Sequence, residues 1–336
     1  MKILVTGGTG YIGSHTCVQL IYKGWQPVIL DSLVNSKVSV IDRIEHITGH
    51  RPPFIQGDVR DADLLGKLLS EHSIEAVIHF AGLKAVGESV AQPLRYYDNN
   101  VHGSVVLMQA MQQCGVKTLV FSSSATVYGD ATEMPLKEDA PTAATNPYGQ
   151  SKLMVEKIIA DFCHSDPSWS ITALRYFNPV GAHQSGLMGE DPKGTPNNLM
   201  PYLAQVAVGR REELEVFGND YQTRDGTGVR DYIHVIDLAN GHLAALTHGH
   251  GNAGHHVFNL GTGNGHSVLE LLNAFGKACG KELKFKIVSR RPGDVAASWA
   301  DPSHALSTLG WQFEKTIDDM CQDTWRWQSQ NPNGYP

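Results

Sequence analysis

Short apolar runs alternate with helical patterns through the first half of the chain. Runs rich in aliphatic and β-branched residues predict buried strands at 2–6, 27–30, 54–57, 76–80, 118–122 and 171–176. Helical patterns follow at 61–71, 93–114 and 147–164. Strands that alternate with helices form parallel sheets covered on both faces. We therefore predict an α/β fold with a doubly wound, Rossmann-type parallel sheet.

The pattern changes beyond about residue 178, where loops rich in Gly, Pro and Asn separate shorter elements. A turn-forming stretch at 186–196 precedes a helical pattern at 199–206. A strand-like run at 230–235 leads into a helix that Asp237 is placed to cap. We predict two domains, residues 1–178 with the large sheet and a smaller α/β domain at 179–336.

A glycine-rich turn follows the first strand directly. Gly7, Gly10 and Gly13 are spaced by three, and an apolar helical pattern begins at Ile12. Such a turn brings the backbone close to a pyrophosphate and points a helix N-terminus at its charge. The spacing differs from the commoner G-x-G-x-x-G, but the strand before it and the helix after it indicate the same role.

The second strand ends in Asp31, eighteen residues after Gly13. A carboxylate at this position accepts hydrogen bonds from the adenosine ribose hydroxyls and repels a 2′-phosphate. Residues 32–36 contain no arginine that could bind such a phosphate. We therefore predict NAD rather than NADP, the alternative being that Asp31 only caps the segment that follows it.

Tyr148 and Lys152 form the candidate catalytic pair. Asn146 and Pro147 predict the start of a helix, so that the two side chains lie one turn apart on one face. A phenol titrates near ~10, and a neighbouring ammonium is expected to lower the Tyr148 pKa enough to make it a base for a sugar or alcohol hydroxyl. A Tyr with a Lys four residues later is common by chance. The catalytic interpretation is favoured here because the glycine turn and the serines at 122–124 precede the pair.

Ligands of parallel α/β sheets bind at the carboxyl ends of the strands. The residues expected at those ends are polar or include glycine, namely 58–59, 81–84, 122–124 and 177–178. These ends are therefore expected to line a cofactor groove.

Composition excludes several classes of partner. The 336 residues carry a net charge of -7, with a pI near 6.1, which argues against a nucleic-acid or anionic-membrane partner. The predicted first strand leaves no room for a signal peptide, and five scattered cysteines suit a reducing cytoplasm. We expect no metal site, because His248, His250, His255 and His256 are assigned to a Gly-rich surface loop without zinc-site spacing.

Arg290 and Arg291 precede Asp294 in a predicted loop. Paired arginines are common in solvated turns, but they also bind phosphate oxygens in bidentate fashion. Behind a dinucleotide domain, they suggest a site for a second diphosphate.

Seven segments together resemble the extended short-chain dehydrogenase/reductase superfamily and, within it, the UDP-glucose 4-epimerase family. They are residues 6–15, 79–89, 122–129, 148–152, 175–182, 196–201 and 228–235, and the resemblance runs end to end. The glycine turn and the Tyr-Lys pair indicate only the superfamily. The middle and C-terminal segments narrow it to the epimerase family, whose chains pass between the two domains more than once.

The resemblance implies a role for each matching position. The implied catalytic residues are Ser124, Tyr148 and Lys152. The implied cofactor-binding residues are Gly7, Gly10, Tyr11, Ile12, Gly13, Asp31, Asn35, Ser36, Asp58, Val59, Phe80, Ala81, Lys84, Asn99, Ser124, Tyr148, Lys152 and Phe177. The implied substrate-binding residues are Ser124, Tyr148, Asn178, Asn198, Leu199, Val216, Phe217, Arg230, Arg291, Asp294 and Ser298.

The resemblance also implies a mechanism. Tyr148 takes the proton of the sugar 4-hydroxyl while C4 gives a hydride to NAD⁺, and the 4-keto sugar turns over before the hydride returns to its other face. Ser124 bonds O4, and Lys152 bonds the nicotinamide ribose. NAD is then a tightly bound prosthetic group. The family implies UDP-glucose and UDP-galactose as substrates, a role in galactose metabolism, and a homodimer through the helices near 93–114 and 147–164.

Two other functions fit the same scaffold. A nucleotide-sugar 4,6-dehydratase needs an acid and a base at C5 and C6, which that family supplies as Asp-Glu after the strand-end hydroxyl residue. Here Ala125 and Thr126 follow Ser124. The second alternative is a non-catalytic, NAD-sensing protein, although such a protein could dispense with the intact catalytic trio.

Ser298 stands where the family places a residue beside the sugar C2 substituent. Members restricted to UDP-glucose and UDP-galactose tend to carry Tyr there, and members that also accept N-acetylated sugars carry a small residue. An acetamido group needs the volume that a phenol ring fills. Ser298 therefore suggests activity on UDP-GlcNAc and UDP-GalNAc, unless neighbouring side chains fill the space.

Overall fold

A computed structural model describes residues 1–291 and 293–336 of the chain. The strands are β1 (Lys2–Thr6), β2 (Gln26–Asp31), β3 (Phe54–Gln56), β4 (Ala76–His79), β5 (Thr118–Ser122), β6 (Ser170–Tyr176), β7 (Asn178–Val180), β8 (Leu214–Phe217), β9 (Val229–His234), β10 (Gly254–Leu260), β11 (Gly265–Ser267), β12 (Phe285–Val288) and β13 (Ala297–Ser298). The α-helices are α1 (Tyr11–Tyr22), α2 (Ser39–Thr48), α3 (Ala62–Glu71), α4 (Val86–Ala91), α5 (Pro93–Tyr96), α6 (Gly103–Cys114), α7 (Pro147–Ser165), α8 (Leu199–Ala207), α9 (Val235–Gly249), α10 (Val268–Cys279), α11 (Ser303–Leu309) and α12 (Ile317–Gln330). A π-helical turn at Tyr97–His102 joins α5 to α6, and a 3₁₀ turn lies at Ala125–Tyr128.

In the described part of the chain, a seven-stranded parallel sheet has the order β10-β6-β5-β4-β1-β2-β3. Apolar side chains of α1, α2 and α9 pack on one face of this sheet. Those of α3, α6 and α7 pack on the other face. The predicted doubly wound α/β sheet is confirmed, and its strands are apolar because both faces are buried.

β10 extends the large sheet from beyond residue 178, with Gly254 opposite Ser170 and Leu260 opposite Tyr176 on β6. The assignment of His255 and His256 to a surface loop is therefore wrong, since both lie on this strand. His248 likewise belongs to the last turn of α9. The strand β10 was not predicted from the sequence because its first half is polar and follows a Gly-rich turn. The division at residue 178 stays a prediction.

The remaining strands form two smaller sheets. In one, β9 lies between β11 and β13 and also pairs with β7, and in the other β8 pairs with β12. Helices α8, α10 and α12 bury a third apolar cluster beside them. β7 begins two residues after the carboxyl end of β6, and its pairing with β9 brings β9 and β13 to that end of the large sheet.

The two predicted helix starts had different outcomes. Asn146 caps α7 by accepting from the Gly149 amide at 2.9 Å, with Pro147 as the first helical residue, as predicted. Asp237 does not cap α9: the imidazole of His234 accepts from the Ile236 amide at 3.1 Å. The Asp237 carboxylate instead accepts from the Lys315 amide at 3.0 Å, a contact distant in sequence.

No helix in the described ranges is long and apolar enough to cross a membrane.

Candidate active site

The glycine turn between β1 and α1 has little room for side chains. Gly7 has a φ of +71°, and a Cβ there would lie 2.8 Å from the Ala81 amide nitrogen. A Cβ on Gly13 would lie 2.4 Å from the Gly7 carbonyl oxygen. The strain and the close approach explain why glycine occupies both positions.

The N-terminus of α1 is suited to bind an anion. Gly10 is the N-cap and offers no side chain to the first amides, and the first turn carries no acidic residue. Unpaired amides and the helix dipole together favour a phosphate group. Tyr11 and Ile12 supply the first two amides of this helix.

Asp31 joins the glycine turn to the loop after β2. Its carboxylate accepts from the Thr9 amide at 3.1 Å, the Leu33 amide at 2.8 Å and the Ser36 hydroxyl at 3.0 Å. An ionised carboxylate has about four acceptor sites, so that one remains for a ribose hydroxyl. Asn35 is exposed in the same loop. These groups fit the adenosine half of NAD.

The ends of β3 and β4 supply the next predicted cofactor residues. Asp58 is bound by Arg60, whose guanidinium lies 2.6 Å from the carboxylate and keeps the pKa of Asp58 below its usual range. Val59 is buried beneath it. After β4 come the partly buried Phe80 and Ala81, and then Lys84, whose ammonium lies 3.0 Å from a carboxylate oxygen of Glu190.

Asn99 and Asn100 lie on the π-helical turn, but only Asn99 was predicted from the sequence. The Asn99 amide donates to the Asn100 side-chain oxygen at 2.9 Å. Asn100 is buried, accepts from the Leu83 amide at 2.8 Å and donates to the Ser151 hydroxyl at 3.0 Å. It thereby fixes the loop after β4 against α7. A buried Asn between two loops has no sequence signal, because its partners are distant along the chain.

The structure brings Ser124, Tyr148 and Lys152 together. Ser124 follows β5 and is buried at the start of the 3₁₀ turn, where its side chain accepts from the Thr126 hydroxyl at 3.0 Å. Tyr148 and Lys152 lie on the first two turns of α7, as the spacing predicts. The Lys152 ammonium donates to the Ser122 carbonyl at 2.7 Å and lies 4.9 Å from the centre of the Phe121 ring.

The pKa of Tyr148 is set differently from the expectation. Burial raises this pKa, and a hydrogen bond with Ser124 and the charge of Lys84 act against that rise. The prediction of a lowered Tyr148 pKa is therefore wrong in this arrangement, in which the Lys152 ammonium is directed to the Ser122 carbonyl at the end of β5. Burial also lowers the pKa of Lys152 to about 8.

A buried ion pair supports the catalytic helix from below. Glu156, one turn beyond Lys152, binds Arg175 of β6 at 2.6 Å, and their side chains are only 5% and 8% exposed. The Ser123 hydroxyl donates to Glu156, and the Arg175 guanidinium donates to the Tyr128 hydroxyl at 3.1 Å. Sequence reasoning missed this network, because an isolated Glu or Arg in an amphipathic pattern indicates a solvated face.

Phe177 directly follows β6 and is buried with Val127, Tyr128 and Leu153. It therefore packs between β6 and α7. The family resemblance implies a position beside the nicotinamide for this residue.

The predicted substrate residues lie on the elements that face this edge. Asn178 pairs with Tyr232 across β7 and β9. Asn198 is the exposed N-cap of α8, with Leu199 as its first helical residue, and its side chain makes no capping bond. The Asn198 amide is therefore available for a ligand.

A charged cluster lies at the end of β8 and around β9. Arg291 binds Asp294 at 2.9 Å and lies 5.3 Å from the centre of the half-exposed Phe217 ring. Arg230 lies 4.0 Å from the same Asp294 carboxylate, and β13 places Ser298 opposite Arg230. Two guanidinium groups around one carboxylate leave donors for a diphosphate.

Val216 differs from its predicted neighbours, because its side chain is buried in the apolar cluster with Leu271 and Phe275. Its side chain takes part in packing and does not face the charged cluster.

Comparisons with known proteins agree with this geometry. A family model described as GDP-mannose 4,6 dehydratase matches residues 4–324. A UDP-glucose 4-epimerase of Yersinia pestis is 61% identical over 100% of both chains. A solved UDP-glucose-4-epimerase from Stenotrophomonas maltophila, with bound NAD and formylated UDP-arabinopyranose, has a TM-score of 0.97 and 55% identity over 99% of each chain. One from Bifidobacterium longum, in complex with NAD⁺ and UDP, has a TM-score of 0.97 and 54% identity over 100% of each chain.

High identity over the full length, together with a nearly superimposable fold, leaves no part of the chain outside the match. The chain therefore belongs to the UDP-glucose 4-epimerase family, within the wider family that the GDP-mannose 4,6 dehydratase model describes.

Proposed function

We infer that this chain interconverts UDP-glucose and UDP-galactose at C4, with NAD as a tightly bound cofactor, and that it serves galactose metabolism. One observation carries the inference: Ser124, after β5, hydrogen-bonds Tyr148, and Lys152 lies one turn further along the same helix, in the sheet whose strand β1 leads into the glycine turn. Relatives that share this chain's full length are UDP-glucose 4-epimerases, and solved ones hold NAD.

Each side chain has a role that follows from its position. The glycine turn and Asp31 hold the pyrophosphate and the ribose of NAD. When bound, NAD⁺ supplies a hydride acceptor that is regenerated within one turnover. Tyr148 accepts the proton of the 4-hydroxyl, and Ser124 holds O4 and opposes the rise of the Tyr148 pKa that burial causes. Lys152, fixed by the Ser122 carbonyl, is placed to donate to a ribose hydroxyl.

A coupled assay for UDP-glucose formed from UDP-galactose, with no NAD added, tests the inference. Steady turnover is expected, since the bound NAD is not consumed. A 4,6-dehydratase would instead accumulate a keto sugar. The residues after Ser124 argue against it, because Thr126 donates to Ser124 and neither Ala125 nor Thr126 offers a carboxylate. An NAD-sensing protein would show binding and no turnover.

The substrate range is proposed to include the N-acetylated pair. Ser298 is partly buried and lies opposite Arg230 of the charged cluster. A small residue there leaves the volume that an acetamido group needs. Changing Ser298→Tyr should lower kcat/KM for UDP-GlcNAc and UDP-GalNAc by about 10-fold or more, since overpacking costs about 1–3 kcal/mol. The values for UDP-glucose and UDP-galactose should change far less.

Ser298→Ala is the matched control for that substitution, because it removes the hydroxyl and keeps the space. Wild-type protein without N-acetyl activity, or a tyrosine variant that keeps such activity in full, would contradict the proposed range.

We also propose a homodimer, through the helices that carry an exposed apolar surface. Val86 and Val90 of α4, Leu94 of α5 and Met154 of α7 are 41%, 64%, 81% and 39% exposed, and α4 and α5 pack on α7. Apolar surface of this kind marks a site of protein contact. Leu94→Glu should convert the dimer to monomer in sedimentation velocity, whereas Phe285→Glu on β12 should not. A wild-type monomer at micromolar concentration would overturn the proposal.

A further inference from the structure

A segment of the second half of the chain, residues 181–193, passes over the glycine turn; we name it the crossing segment. Its last four residues contact two different loops. Glu190 binds Lys84, in the loop after β4, at 3.0 Å. Three residues further on, the Lys193 ammonium donates to the carbonyls of Leu33, at 3.2 Å, and Val34, at 2.5 Å, in the loop after β2.

The sheet order shows what lies beneath these two contacts. The strands β4 and β2 flank β1 in the sheet. A segment bound to the loops after both strands must therefore cross the turn that follows β1. A third contact confirms this path, because the Tyr11 hydroxyl, one residue beyond the glycine turn, donates to the Gly181 carbonyl at 2.6 Å.

The C-terminal helix and tail hold the crossing segment from behind. Trp327 of α12 donates to the Glu190 carbonyl at 3.3 Å, and the Tyr335 hydroxyl bonds both the amide and the carbonyl of Gly189 at 3.1 and 3.0 Å. A Cβ on Gly189 would lie 2.3 Å from the Trp327 ring, so the backbone is packed directly on that side chain. The segment is therefore held in a fixed position against α12 and the C-terminal tail.

Lys37 makes a further contact with the crossing segment, from the loop after β2 that is expected to hold the adenosine ribose. It follows Ser36 in the loop after β2, and its ammonium lies 3.4 Å from Asp191 and donates to the Tyr335 carbonyl at 2.5 Å. Asp191 also accepts from the Tyr335 amide at 3.0 Å. Lys37 thus ties the crossing segment and the tail to the loop that Asp31 organises.

We propose that the crossing segment is a clasp that retains the dinucleotide, and that Lys37 and Lys193 are the positioning residues that keep it closed. The inference rests on the proposed function, because it assumes that NAD lies along the glycine turn. Lys193 is exposed and bonds two carbonyls, and Lys37, which is 40% exposed, forms an ion pair; contacts of this kind near the surface are individually weak. The clasp can therefore open without unfolding the domain, while several contacts together keep it shut.

If the crossing segment retains NAD, loosening it should change the kinetics of NAD binding differently from the loss of a side chain that contacts NAD directly. Because the segment lies across the site, opening it clears the path for entry as well as for release. Lys193→Gln and Lys37→Gln should each raise both the association and the dissociation rate of NAD about threefold, and the double variant about tenfold. A lysine that merely attracts the phosphates would instead slow association when it is removed.

Two measurements on full-length protein give these rates. Protein loaded with radiolabelled NAD and diluted into excess unlabelled NAD gives the dissociation rate, and uptake of labelled NAD by NAD-free protein gives the association rate. Lys117→Gln is the matched control, since Lys117 is also a surface lysine paired with an acid, Asp166, but it precedes β5 and so lies at the amino end of the sheet, opposite to the glycine turn. Its rates should equal those of the wild type. Melting temperatures of the NAD-free variants check that the fold is intact.

Faster entry and faster release together support the clasp. Unchanged exchange in the double variant, or faster release with slower entry, would overturn it. The measurement needs no turnover. A protein that binds NAD but has no activity would refute the proposed epimerase reaction, and the clasp could still be tested on it. Wild-type NAD exchange as fast as that of the double variant would also refute the clasp.

Discussion

Replacing Tyr148 by phenylalanine should lower turnover of UDP-galactose by roughly 10²–10⁴-fold, the usual contribution of a general base. The substitution removes the hydroxyl that Ser124 polarises and that Lys84 stabilises as phenolate. The ring itself remains, so the packing of the first turn of α7 is kept. Initial rates in the coupled assay, at saturating substrate, measure the effect.

Binding separates the loss of the base from the loss of the site. The affinity for UDP, measured by calorimetry, should stay within about twofold, since the charged cluster around Asp294 is untouched. Tyr22→Phe on the surface of α1 removes a phenol without any role in the site and should be fully active. Near-full activity of the Tyr148 variant would mean that another group takes the proton.

Glu156→Gln should lower the free energy of unfolding by about 3–5 kcal/mol, the cost of leaving one charge of a buried ion pair without its partner. Arg175 is 8% exposed and cannot turn to solvent when the carboxylate is gone. The glutamine keeps nearly the same volume, so that the loss comes from charge and not from a cavity. Denaturant titration of wild type and variant measures it.

The same substitution should also change the pH dependence of turnover. Burial lowers the pKa of Lys152 to about 8, and the charge of Glu156 opposes that fall. Without the charge, the Lys152 pKa falls further, so that the ammonium is lost at lower pH. Since the proposed role of Lys152 needs the protonated form, the alkaline limb of the pH–rate profile should move to lower pH.

Lys117→Gln serves as the control for stability, because it breaks an ion pair that is exposed to solvent. It should destabilise the protein far less than Glu156→Gln does. Equal effects of the two substitutions would show that the buried ion pair contributes no more to the free energy of unfolding than an exposed one.

Local features of the site could be predicted from the sequence because their causes are local. The glycine turn needs a positive φ at Gly7 and a close approach at Gly13, and both requirements leave glycine at fixed spacing. The start of α7 could be predicted for the same reason, since Asn146 bonds an amide only three residues away.

Contacts between distant segments could not be predicted in this way. The charge that opposes the rise of the Tyr148 pKa belongs to Lys84, which comes from the end of another strand. The Lys152 ammonium is held by the Ser122 carbonyl, a partner thirty residues earlier. Spacing along a helix places two side chains on one face but does not fix where a long side chain ends.

By itself, the sequence determined the parallel sheet, the glycine turn and the candidates for the catalytic residues, because hydrophobic periodicity, glycine spacing and helix caps act over a few residues. Only the tertiary structure decided that the polar strand β10 completes the sheet, that Arg175 and Glu156 pair beneath the catalytic helix, and that residues 181–193 cross the glycine turn. Each of these depends on segments that are far apart in the chain, and burial and charge pairing between such segments are settled only when the whole chain packs.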